Sequence, residues 1–276
     1  MTLTLLLGLA IGLVMGLTGA GGGVLAVPAL VFGLGLSMAQ AAPLAMVGVG
    51  LAAAVGTVEG LRRGTVRYRA ALFIAVMGWP FSALGVALAH RVPELTLRIV
   101  FVLMLAFVAW RQLHQSAQAA RAEAEVSDPP AGPVAELDPA SGRFIWNRVA
   151  LTSFTGIGAV TGAMSGLLGV SGGFVLVPLL SRFTRLDAPS LVGTSLMVGA
   201  LVTGFGAVAA VAQGVVITWA IAGWFAAALV LGLLAARGFS RRLPPQSMRH
   251  TFVALVIGVA LAMAVDVARR IWLHLV

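Results

Sequence analysis

Few residues in this chain can do chemistry, and the first set is a glycine segment that occurs twice. Gly16-Leu17-Thr18-Gly19-Ala20-Gly21-Gly22-Gly23 runs on to Val27-Pro28 and Leu30. At a spacing of 150 residues, Gly166-Leu167-Leu168-Gly169-Val170-Ser171-Gly172-Gly173 runs on to Val177-Pro178 and Leu180. Eight of the fifteen aligned positions are identical, so the segment is a duplicated device rather than a chance run of small residues. Each glycine costs a helix about 1 kcal/mol relative to alanine. The expected result is a loop followed by a short helix, with Pro28 and Pro178 near its start, where a missing N–H is best tolerated. The free N–H groups and partial positive charge of such a helix start favour an anion by about 0.3–1 kcal/mol, and by ~2 kcal/mol when partly buried. Two copies facing each other would bind a small anion without a buried cation. Thr18 and Ser171 can add hydroxyl donors, as can Thr194 and Ser195 in Gly193-Thr194-Ser195-Leu196. Glycines outside the motif, such as Gly8, Gly12, Gly48 and Gly258, read as close-packing positions.

Other chemistry is thin. Glu59 and Asp266 are the acids inside or at the edge of long apolar runs, which makes them the candidates for proton coupling. Each has Arg at both +3 and +4 (Arg62 and Arg63, Arg269 and Arg270), the spacing of ion pairs on one helix face. His90, His114, His250 and His274 fall at segment ends or in loops, so no metal site is expected, and no cofactor. Ser165 lacks the Gly-x-Ser spacing of a nucleophile, and no His lies within a long run to act as its base. With no Cys there is neither a thiolate nor a disulfide. An enzyme is therefore not expected.

The elements that must position these residues are membrane helices. The 276 residues are 60% apolar and 10% charged, with a mean hydropathy of +1.03, whereas soluble domains carry roughly a quarter charged residues. All eighteen basic residues are Arg, placed mostly in short loops between apolar runs, so the net charge of +9 reads as a topology signal and not as nucleic-acid binding. The N-terminus lacks a basic n-region, since the first charge is Glu59, and reads as mature structure. Apolar pieces lie at 3–18, 23–35, 39–61, 70–90 and 94–113, and again at 149–168, 173–181, 188–212, 215–236 and 250–268. Later landmarks repeat with a one-residue shift: Pro93 matches Pro244, Arg98 matches Arg249, and Phe101-Val102 matches Phe252-Val253. Trp79-Pro80 marks a kink in the run at 70–90, and Trp110, Trp146 and Trp272 sit near run ends as interfacial anchors do.

The expected organisation is a first transmembrane repeat at 1–113, an acidic, Pro-containing linker at 114–148 and a second repeat at 149–276. The linker holds five of the nine acids: Glu123, Glu125, Asp128, Glu136 and Asp138. If each glycine-split pair were one span, the Arg residues would divide ten to eight across the membrane; if each pair is a hairpin, they divide fourteen to four. The second is a clear positive-inside bias. A hairpin adds no net crossing, so each half keeps three long spans, and the second half is inverted relative to the first. Both termini are then outside and the linker cytoplasmic.

The paired Gly-x-Gly-Gly-Gly…Val-Pro and Gly-x-Ser-Gly-Gly…Val-Pro breaks, with Gly193-Thr194-Ser195-Leu196 and the duplicated ten-piece layout, resemble the TauE/SafE sulfite exporter family. The resemblance covers the chain except the linker. It implies a multi-pass permease of the bacterial inner membrane that moves sulfite, sulfonates such as sulfoacetate, or related small organic anions. This chain departs from a symmetric pattern, because Ala42-Pro43-Leu44 stands opposite Gly193-Thr194-Ser195. The expectation is thus an all-α polytopic membrane protein of two inverted repeats, each a glycine-broken helical hairpin plus three long transmembrane helices. Thr18, Gly19, Gly22, Gly23, Gly169, Ser171, Gly172, Gly173, Thr194 and Ser195 would frame a small-anion site worked by alternating access. A passive anion channel is the alternative, with a membrane-embedded enzyme behind it. Which anion, import or export, the coupling ion and any homo-oligomer stay open.

Overall fold

The computed structural model describes residues 1–122, 144–184, 186–240 and 245–275. The linker acids from Glu123 to Asp138, together with Arg185, Arg241 and Arg242, lie outside the described residues. Among the described residues ten α-helices follow in order: α1 Thr2–Thr18, α2 Ala26–Leu34, α3 Met38–Arg62, α4 Tyr68–Ala89, α5 Glu94–Ala122, α6 Arg148–Leu168, α7 Gly173–Phe183, α8 Ala188–Ala212, α9 Trp219–Ser240 and α10 Pro245–Leu275. Each corresponds to one of the ten apolar pieces. Local signals set several ends. Ser37 and Gln40 form a reciprocal capping box at the start of α3 (3.3 and 3.2 Å), and Asn147 Oδ1 accepts from the Ala150 N–H (2.7 Å) at the start of α6. Gly64 and Gly214, again 150 residues apart, take positive φ just after α3 and α8.

Among the described residues, six helices are long and apolar enough to cross a membrane: α3, α4, α6, α8, α9 and α10. The sequence expects α5 as a long span and α6 as one arm of a hairpin, and neither expectation turns on this length criterion alone. The uninterrupted apolar stretch of α5 is only Ile99–Trp110, flanked by Arg98 and Arg111, whereas the 21 residues of α6 pass on length. The helices also expose large apolar side chains outward, including Leu6, Leu84, Leu103, Leu231 and Leu261, each more than 60% accessible. Such a surface suits lipid, because water would penalise a continuous apolar patch of that extent.

Glycines let the helices approach backbone to backbone. On α6, Gly158, Gly162 and Gly166 meet the α4 backbone at Ile74, Gly78 and Ser82. On α1, Gly8, Gly12 and Gly16 meet α9 at Phe225, Leu229 and Leu233. The two glycine sets are 150 residues apart and their partners 151 apart, which is the one-residue shift seen in the sequence. Gly8 and Gly12 are packing glycines as expected, and so is Gly48, which lies against the Phe225 ring; Gly258 faces open space. The helices α3 and α8 pack on each other, α4 also on α8, and α3 also on α9.

Helices α5 and α10 form a further pair, tied by charge. Arg98, 3% exposed, donates to Asp266 on α10 (2.6 Å) and to Glu94 one turn back (2.5 Å), while Arg270 also donates to Asp266 (3.1 Å). Asp266 thus makes the expected i,i+4 pair and an inter-helix tie that the sequence did not indicate. Its carboxylate is occupied by two guanidinium groups, so Asp266→Asn is expected to leave the transport rate intact. The same variant should lower thermal stability by about 1–3 kcal/mol, since it weakens charge-assisted bonds to a buried Arg. Thermal melts of the purified variant beside its transport rate check both halves of this prediction.

Candidate substrate site

Both glycine breaks turn the chain back on itself. In the first, Gly33 on α2 lies against Leu7, and Gly22 against the backbone of Met15, so α2 runs antiparallel to α1. In the second, Gly172 lies against Thr161, eleven positions earlier on α6. A Cβ at Gly22 would stand 2.5 Å from the Met15 backbone, and one at Gly172 would stand 1.9 Å from Thr161 Cγ2. These two glycines close the hairpins.

The breaks are not built alike. Residues Gly19–Leu25 wind as a 3-10 helix, not as the loop that the glycine run suggested. Glycine accepts the tighter winding, and its i→i+3 bonds satisfy backbone groups that have no water to turn to. In the second break α6 ends at Gly169, whose φ of 70° is left-handed and whose N–H bonds to the Ser165 carbonyl (2.9 Å). Gly169 Cα also sits against Ala42 of α3. After residues 169–172, α7 starts at Gly173, with the Val175 and Leu176 N–H groups bonded back to the Gly172 carbonyl (3.1 and 2.8 Å). The first amides of α7 have no intrahelical acceptor, as at any helix start. Helix α7 therefore begins earlier than α2 does. Pro28 falls in the first turn of α2, as expected, whereas Pro178 falls one turn further inside α7.

The two breaks meet. A Cβ at Gly23 would lie 3.2 Å from Ser171 Cβ and 2.8 Å from Val49 Cγ1. The 3-10 segment also packs on α7 and α8. Ser171, 2% exposed, points its Oγ at α8, within 2.7 Å of where a Cβ on Gly199 would stand. Gly23, Ser171, Gly172 and the buried Gly173 thus share one interior region.

The other sequence candidates divide. Ser195 is fully buried on α8, one turn from Gly199, and its hydroxyl has no hydrogen-bond partner among the described residues. Thr194 Oγ1 accepts from the Arg67 backbone N–H (3.1 Å), so it anchors the start of α4. The Thr18 hydroxyl donates to the Val14 carbonyl (2.8 Å), bonding its own helix. Thr18 lines a cavity of about 410 Å³ with Gly56, Glu59, Arg63, Thr65 and Gly193. On its α3 wall Arg63 pairs with Glu59, the i,i+4 ion pair expected from the sequence. The candidates therefore divide among the meeting point of the breaks, this cavity, structural anchors and the unpartnered Ser195.

Among the described residues three further buried hydroxyls lack partners: Ser82, Thr161 and Ser165. Sequence reasoning set Ser165 aside as a nucleophile and passed over the other two. An unpaired buried hydroxyl costs about 1–3 kcal/mol, which makes each a candidate contact for a ligand or water. Thr161 and Ser165 replace Ile11 and Met15, their counterparts 150 residues earlier. A usable signal was present, because the hydroxyls lie at i,i+4 among the glycines of α6.

Paired glycine-broken hairpins among long apolar helices define a multi-pass helical membrane protein. The family described as Sulfite exporter TauE/SafE matches residues 4–263, and the chain belongs to that family of membrane transporters. It is similar to a "Probable membrane transporter protein" of Xylella fastidiosa strain Temecula1, 27% identical over 271 residues, covering 96% of this chain and 94% of the relative. A protein of the same description from Xylella fastidiosa strain 9a5c is 28% identical over 273 residues, with the same coverage of each chain. No solved structure matches the chain significantly.

Proposed function

We propose that the protein is a permease of the bacterial inner membrane for small anions (sulfite, sulfonates such as sulfoacetate, or related organic anions), working by alternating access. The observation that carries this reading is the approach of Gly23 to Ser171, which brings both backbone breaks into one buried region. The first amides of α7 supply N–H donors there, and Ser171 adds a hydroxyl. Ser195, Thr161 and Ser165 are further donors in reserve, all on the second half of the chain. The anion is accordingly held from the α6–α8 side, with the 3-10 segment as the opposing wall. No buried free cation is needed, which lets the anion leave again.

The chain divides into repeats at 1–113 and 149–276 joined by a cytoplasmic linker at 114–148, with the repeats inverted and both termini periplasmic. The exchanged packing of α1 on α9 and α6 on α4 supports a pseudo-two-fold relation, and the fourteen-to-four division of Arg supports the orientation. The cavity at Thr18, Glu59 and Arg63 is then the cytoplasmic vestibule. Counterflow in proteoliposomes tests the reading, with labelled sulfite or sulfoacetate exchanged against a panel of unlabelled anions. Saturable, trans-stimulated exchange is expected, and the order of competition names the substrate class. Non-saturating flux with no trans-stimulation would replace the carrier with a passive channel.

A further inference from the structure

A second cavity of about 410 Å³ lies beside the start of α4, walled by Gly64, Arg67, Tyr68, Arg69, Phe144 and Trp146. The turn at residues 63–66 separates it from the vestibule, since Arg63 and Thr65 face the vestibule while Gly64 and Val66 face this cavity. Among the described residues its wall carries two arginines and no carboxylate. Among the described residues neither Arg67 nor Arg69 forms an ion pair, and Arg67 Nε is buried with no hydrogen-bond partner. Helix α4 begins at this wall with no side-chain cap, which adds partial positive charge.

The wall is held in place. The Arg67 N–H is anchored on Thr194, and Trp146 is wedged edge-on between Phe73 (5.3 Å) and Phe154 (6.0 Å). Tyr68 and Trp146 are nonetheless 47% and 42% exposed, so the cavity opens at the periphery of the bundle with aromatic rings at its mouth. Aromatic rings of this kind concentrate at the headgroup level of a bilayer, and basic pockets between helices there take anionic headgroups.

We propose that this cavity binds a phosphate-type oxyanion through Arg67 and Arg69. The shared chemistry is a tetrahedral phosphate with several acceptor oxygens, carried either by an anionic phospholipid or by free inorganic phosphate. The exposed rings favour the lipid. The site is separate from the substrate region and stands whatever anion the protein transports.

Native mass spectrometry of the purified full-length protein tests it, with phosphatidylglycerol, phosphatidylcholine and inorganic phosphate as probes. Wild type is expected to hold phosphatidylglycerol about tenfold or more tightly than Arg67→Gln/Arg69→Gln. Phosphatidylcholine should not discriminate the two. Arg62→Gln/Arg148→Gln removes the same charge from exposed arginines outside the cavity and should bind as wild type does. Equal elution volumes in size-exclusion chromatography, and partial recovery in Arg67→Lys/Arg69→Lys, separate lost binding from lost fold. Discrimination by inorganic phosphate alone would assign the site to a soluble anion. If no probe separates wild type from Arg67→Gln/Arg69→Gln, or if the control variant loses as much binding, the proposal is overturned.

Discussion

Gly162→Val is expected to abolish the folded protein. A Cβ at this position would stand 2.1 Å from the Gly78 carbonyl oxygen and 3.0 Å from Gly78 Cα, so the obstruction is backbone on both sides. No side chain can rotate away, and α4 and α6 would have to separate along their shared Gly158–Gly162–Gly166 seam. Overpacking where side chains can still adjust costs about 1–3 kcal/mol. A rigid contact at the centre of the most extensive helix pair should exceed that, at about 4 kcal/mol or more. Gly12→Val should fail in the same way, because its Cβ would meet the Leu229 carbonyl of α9 at 2.1 Å. Gly156→Val, on the same helix as Gly162 but facing open space, should be nearly silent. The folded fraction by size-exclusion chromatography and thermal melting reads all three, and a well-folded Gly162→Val protein would contradict the packing described.

Ser171→Ala should leave the fold intact and weaken substrate. Its hydroxyl is buried where the two breaks meet and makes no hydrogen bond among the described residues, so removing it breaks no bond seen there. A hydrogen bond to a charged ligand contributes about 1.5–3 kcal/mol, which corresponds to roughly ten- to a hundredfold in affinity. The concentration for half-maximal counterflow should rise by that factor with little change in thermal stability. Gly199→Ala should act in the same direction while leaving the hydroxyl in the chain, since its Cβ would stand 2.7 Å from Ser171 Oγ and displace it. Unchanged half-saturation in both variants would remove Ser171 from the site.

Much of this arrangement was legible in the sequence, and the reasons differ by element. The ten helices were readable because apolar runs ended by Gly, Pro and Arg leave little choice of boundary in a bilayer. Gly8 and Gly12 were readable as packing positions, yet not their partners on α9, since which helix a glycine face meets depends on how the halves exchange neighbours. Glycine runs do not distinguish an open loop from a 3-10 turn, so the different winding of the two breaks had no sequence signature. Gly22 and Gly172 share the motif with Gly23 and Ser171 but close the hairpins through Met15 and Thr161, contacts set by the angle of each return. Thr18 and Thr194 looked like ligand donors by type, and the fold uses their hydroxyls on Val14 and Arg67.

The measurement that bears most directly on the account is counterflow by a Gly23→Cys/Ser171→Cys protein, compared before and after oxidation. The chain contains no Cys, so the introduced pair is the only thiol chemistry present. Its Cβ atoms would start about 3.2 Å apart, close to disulfide range once Val49 gives way. The account predicts that oxidation links the two breaks, stops exchange and is reversed by reductant. A folded, fully linked protein that exchanges anions at an undiminished rate would contradict it.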